Sequence, residues 1–214
     1  MTDVRAREDS RGLQWAALYA ADLVVRDVSR QALDATLPGQ AVSVRHVLRH
    51  MIGLNRGLAV QLEGRAPDVS VWEGLDLGLD PRPHWWESAR RVVAAASARP
   101  RLSKLAALPA VGVVPVTHAI GLHALDQLTH ATELAATAAA SATLDWDACQ
   151  QAQLWASLYP GVWWRCVRTV APGPDTLQGG CLERILGVRQ RTDRPRLSPA
   201  SEAGGRPGGH HRRS

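Results

Sequence analysis

A chain of 214 residues is long enough to bury a core of its own, and it is expected to form one domain with short appendages. Its 45% hydrophobic and 21% charged residues are those of an ordinary globular protein, and no uninterrupted apolar run approaches the length that spans a bilayer. The net charge of +5 is local: from Arg189 to Ser214 seven arginines face only Asp193 and Glu202, which leaves 18 basic and 18 acidic residues elsewhere. A neutral body argues against nucleic acid as a partner.

In chain order, residues 1–9 read as a flexible leader with no apolar h-region, so a cytoplasmic protein is expected. A first helix is predicted from about Ser10 to Leu37, with Trp15, Leu18, Tyr19, Leu23 and Val25 among its apolar positions. A second starts at Ser43, a suitable N-cap, and runs to Gly64. A third opens at Asp80, with Pro81 in a permitted first-turn position, and ends before Pro100. "AALPAVGVVPV" is β-prone but broken by prolines and reads as a linker. The fourth helix runs from about Pro115 to Ala140, and "DWDACQQAQLWASLY" adds a shorter fifth. The tail, 191–214, is rich in Pro, Gly, Ser and Arg and is expected to be disordered. His210 and His211 lack further ligands nearby and read as part of a solvated end. Long helices joined by loops predict an all-α, antiparallel four-helix bundle with short C-terminal helices.

With no Phe, eight Trp together with Leu, Val and Ala must fill the interior. The pairs Trp85/Trp86 and Trp163/Trp164 serve either the core or the interface of a homodimer. Cys149, Cys166 and Cys181 are an odd number at wide spacing, and reduced thiols are expected.

The chemistry concentrates in "LHALDQLTHATEL", residues 122 to 134. On a helical wheel His123, Asp126, His130, Glu133 and Thr137 share a stripe roughly 80° wide. A solvated face is one reading. However, the stripe holds no Lys or Arg, and the opposite face is mainly Ala and Leu. A carboxylate and an imidazole four residues apart can also chelate one ion, given a third ligand from another element. "VRHVLRHMIGL" supplies candidates in His46 and His50, although a histidine on an apolar helix face is otherwise a satisfied core side chain.

Three stretches then resemble a known family. "LPGQAVSVRHVLRHMIGLNRGLAVQLEG" is similar to a helix with a metal-binding histidine followed by an Asn-Arg pair, matched here by His50, Asn55 and Arg56. "GLHALDQLTHATELA" looks like a helix carrying a carboxylate and a histidine four residues later, and "APGPDTLQGGCLERILGVRQR" like a closing Pro-containing loop and last helix. Together they resemble the DinB-like metal-binding bundles, in the branch of the N-terminal domain of mycothiol-dependent maleylpyruvate isomerase, over residues 10–190. The resemblance implies His50, Asp126 and His130 as metal ligands, with His46, His123 and Glu133 in support and Arg56 available to an anionic substrate. Two imidazoles and a carboxylate leave a position open. Zinc is the default ion; nickel, iron and manganese suit the same donors. The implied activity is transfer of a low-molecular-weight thiol such as mycothiol to a small electrophile, or isomerisation with the thiol as cofactor. The alternative is a metal- or ligand-binding bundle without turnover.

Overall fold

The computed structural model describes residues 2–38, 41–66, 75–98, 105–108, 111–138 and 146–158. The resembling segment at 171–191, the second Trp pair, Cys166, Cys181 and the tail lie outside the described residues. Five α-helices dominate: α1 (Thr2–Asp27), α2 (Val44–Leu62), α3 (Arg82–Ser97), α4 (Val116–Ala138) and α5 (Trp146–Leu158). α1 packs on α4 and α3, α2 packs on α3 and α4, and α5 lies against α1 and α4. Among the described residues no helix is long and apolar enough to cross a membrane.

Local chemistry explains most boundaries. The Ser43 hydroxyl accepts from the His46 backbone N–H at 3.3 Å, capping α2 as its sequence predicts. α3 starts one residue later than expected: Pro81 is its N-cap, with no side-chain cap, and the Asp80 carboxylate ahead of it accepts from the Arg82 backbone N–H at 3.1 Å. The first helix departs from expectation at both ends. It begins at Thr2 instead of Ser10, and it stops at Asp27 instead of Leu37. Ser29 ends it by capping a separate 3-10 turn, Arg30–Ala32, where its hydroxyl accepts from the Ala32 N–H.

The expected linker is a β-hairpin. β1 (Leu105–Leu108) pairs antiparallel with β2 (Gly112–Pro115), with Ala106 opposite Val114 and Leu108 opposite Gly112. Its β-branched and apolar residues prevail over Pro115 because that proline ends its strand, where no ladder donor is needed. Gly112, at φ +94°, supplies a left-handed conformation that a side chain would strain. The free edge of β1 is closed by Gln61 of α2: its amide donates to the Ala107 carbonyl at 2.8 Å and accepts from the Ala107 N–H at 2.6 Å. The hairpin therefore anchors the start of α4 to α2.

The interior contains two apolar groups, one spanning α1 to α4 with the hairpin and one joining α1, α4 and α5. Trp85 and Trp155 are fully buried and occupy the volume that Phe would otherwise fill. A Cβ on Gly121 would lie 2.5 Å from the Trp155 ring, so α4 and α5 approach across a residue that has to be small. Several assignments are corrected. Trp15 and Tyr19 of the first helix are exposed, and the Trp85/Trp86 pair divides into one core and one half-exposed residue. Cys149 is disulfide-bonded instead of reduced.

Candidate metal centre

The polar stripe of α4 faces inward. His123 and Glu133 are buried, and Asp126 and His130 are mostly covered. The stripe thus meets α2 instead of solvent, and the helix turn places Asp126 and His130 on the same side four residues apart. His50, from the middle of α2, arrives opposite them with 43% of its side chain exposed. One donor atom from each of the three lies within 4.8 Å of the others. His50 Nε2 is 3.5 Å from Asp126 Oδ2, and His130 Nε2 is 3.7 Å from Asp126 Oδ1. The two imidazoles meet edge to face, with centroids 4.9 Å apart.

Hydrogen bonding fixes the His130 ring. Glu133 Oε2 lies 2.6 Å from His130 Nδ1, which as N–H donates to the carboxylate and leaves Nε2 as the ring nitrogen on the Asp126 side. Asp126 Oδ2 is buried and makes no hydrogen bond. Its near neighbour, His50 Nε2 at 3.5 Å, is at ion-pair distance without hydrogen-bond geometry, and a cation would satisfy this acceptor more fully. Burial alone would raise the Asp126 carboxyl, but the facing His130, His50 and His123 hold it below the usual aspartate value. Burial likewise opposes protonation of His130, and the adjacent Asp126 and Glu133 outweigh it, raising that imidazole. The cluster is electrostatically predisposed to a positive charge.

His123 belongs to a different arrangement. A buried chain of hydrogen bonds crosses four helices: Gln14 Nε2 to His123 Nδ1 at 3.3 Å, His123 Nε2 to Asn55 Oδ1 at 2.9 Å, Asn55 Nδ2 to Ser88 Oγ at 3.1 Å, and Ser88 Oγ to the Trp85 carbonyl at 2.8 Å. The direction is self-consistent. Ser88 uses its proton on Trp85, so Asn55 presents its amide N–H to Ser88 and its oxygen to an Nε2–H tautomer of His123. Burial lowers His123 to a pKa of about 4, so the ring is neutral.

Of the supporting groups expected from the sequence, Glu133 contacts a proposed ligand, whereas the hydrogen bonds of His123 go to Gln14 and Asn55. His46 is exposed one turn before His50 and is not grouped with the three donors. Arg56 is drawn to Glu87 at 3.7 Å. Gln14, in "GLQWAAL", is a polar residue flanked by apolar ones and so carries a local signal, whereas Ser88, between Glu87 and Ala89 in "WWESARRVV", carries none. Comparisons with protein-family models, with curated proteins and with solved structures find no match.

Proposed function

We propose that this protein is a metal-binding four-helix bundle of the DinB-like kind, with His50, Asp126 and His130 as ligands to a divalent ion, zinc by default. The observation that carries the reading is the convergence of donor atoms from His50, Asp126 and His130 within 4.8 Å of one another, with Glu133 on the far nitrogen of the His130 ring. Two nitrogens and one oxygen suit zinc, with nickel, iron and manganese as alternatives. An ion there supplies Lewis acidity, which lowers the pKa of a coordinated water or thiol toward neutrality.

The chain's own contribution is positional. α4 holds Asp126 and His130 from one side, α2 presents His50 from the other, and the exposure of His50 leaves the site reachable from solvent. We infer a reaction in which a small thiol of the mycothiol type is transferred to an electrophile or assists an isomerisation. A cytoplasmic setting belongs to this reading, since such thiols are kept reduced there; the disulfide at Cys149 pulls against it.

Metal analysis of the wild type beside His50→Ala and His130→Ala tests the site. Near-stoichiometric metal is expected in the wild type and none in the variants, and metal that persists in both would refute the ligand set. Metal-dependent consumption of thiol with an electrophile such as monochlorobimane is the expected turnover. Metal bound with no turnover would instead support a binding protein.

A further inference from the structure

A second site lies between α1 and α3, the helix pair opposite the α2 and α4 pair that carries the metal ligands. The groove encloses about 560 Å³, within the range of small-molecule pockets. Trp15, Tyr19 and Trp86 are 62, 55 and 43% exposed, and all three line it. Large aromatics are seldom left in water together unless they meet something.

The wall is preformed. Trp86 Nε1 donates to Asp22 Oδ1 at 2.6 Å, Asp22 pairs with Arg26 at 2.5 Å, and the Arg26 guanidinium lies 5.9 Å from the centre of the Trp86 ring. This triangle fixes the indole face and removes the ordering cost that a free aromatic would bring to binding. The buried Trp85, also in the lining, carries an Nε1–H with no acceptor. Asp22 is the one acid beside two cations, Arg26 and Arg90, so the groove is formally positive. We propose that it binds a planar aromatic anion, with the ring stacked among Trp15, Tyr19 and Trp86 and the acidic group facing the arginines. The site is separate from the metal centre and does not depend on the metal reading.

The test is calorimetric titration of the full chain with 2-naphthoate, after chelator treatment because carboxylates also ligate open metal sites. Saturable binding is expected, weakened about tenfold in Trp15→Ala and in Arg90→Ala, since one stacking or charge contact is worth about 1.4 kcal/mol. Both positions are exposed, and circular dichroism verifies the fold. His50→Ala should bind naphthoate as the wild type does. The cation 2-naphthylmethylammonium should bind at least about tenfold more weakly. Absence of saturation at millimolar naphthoate, equal affinity for the cation, or loss in His50→Ala but not in Trp15→Ala would each overturn the proposal. So would a solution dimer that Trp15→Glu dissociates, which would make a second copy of the chain the occupant.

Discussion

His123 and His130 lie two turns apart on α4, and their hydrogen bonding differs. Around His123 both ring nitrogens, the Asn55 amide and the Ser88 hydroxyl are matched in one continuous chain. Around His130, one nitrogen is matched by Glu133, while Asp126 Oδ2 is buried with only a long ion pair to His50 at 3.5 Å and no hydrogen bond of good geometry. A satisfied polar network in a core fixes how helices align and stabilises the fold. A cluster whose buried acceptor is held only by a long ion pair is better satisfied by a cation. The two histidines therefore predict opposite consequences when they are altered.

The sharpest contrast comes from removing a ligand. Asp126→Asn should abolish zinc binding, and with it the ion-dependent stabilisation, about 4 kcal/mol at a thousandfold excess over the dissociation constant. Without metal the same substitution should lower the melting temperature only modestly, because it removes the carboxylate that pairs with His50 and His130 but also the cost of burying its charge. Thermal melts with and without zinc measure both. A large loss of stability in the metal-free variant would move Asp126 into the structural class.

His123→Leu should do the reverse. It strands the Gln14 amide and the Asn55 oxygen in the interior, at about 1–3 kcal/mol each. Urea denaturation should show a loss on the order of 3 kcal/mol while zinc content is retained. A folded His123→Leu chain that cannot hold zinc would dissolve the distinction.

A pH series separates the two next. His123 titrates near 6.5 when unfolded and near 4 when folded, so between those values the unfolded chain binds the extra proton. The stabilisation is complete above about 6.5 and is lost as pH falls toward 4, on the order of 3 kcal/mol. Metal-free wild type should therefore lose melting temperature across that window, and His123→Leu should lose much less.

How much of this was legible beforehand depended on whether a signal is local. Ser43 announced its helix start because capping acts within three residues, whereas at α3 the N-cap is Pro81, one residue after the expected Asp80. The ligand stripe was visible because Asp126 and His130 share one helix face. The hairpin is hidden in the sequence because Pro109 and Pro115 interrupt the β-prone run, and because Gln61, which closes its edge, lies 46 residues from Ala107. Long-range pairing also hid the His123 chain, whose members come from α1, α2, α3 and α4. Sequence spacing placed His123 on the right face but did not distinguish a ligand's neighbour from the middle of a core network. The exposure of Trp15 and Tyr19 was equally invisible, because an apolar position on a helix wheel does not reveal whether another element covers it.

The smallest effect probes the boundary between the two clusters. Glu133 is buried and bonds to His130, so on burial alone it could belong to either. If it orients a ligand, Glu133→Gln keeps an acceptor near His130 Nδ1 but loses the charge that makes the ring more basic, and zinc affinity should fall about tenfold. Glu133→Ala, which frees the ring as well, should approach a hundredfold. Competition with a chromogenic chelator measures both. Unchanged affinity in Glu133→Gln alongside a lower melting temperature would mark Glu133 as part of the scaffold. A graded loss, glutamine less than alanine, is the pattern expected of a carboxylate acting on the metal through the histidine.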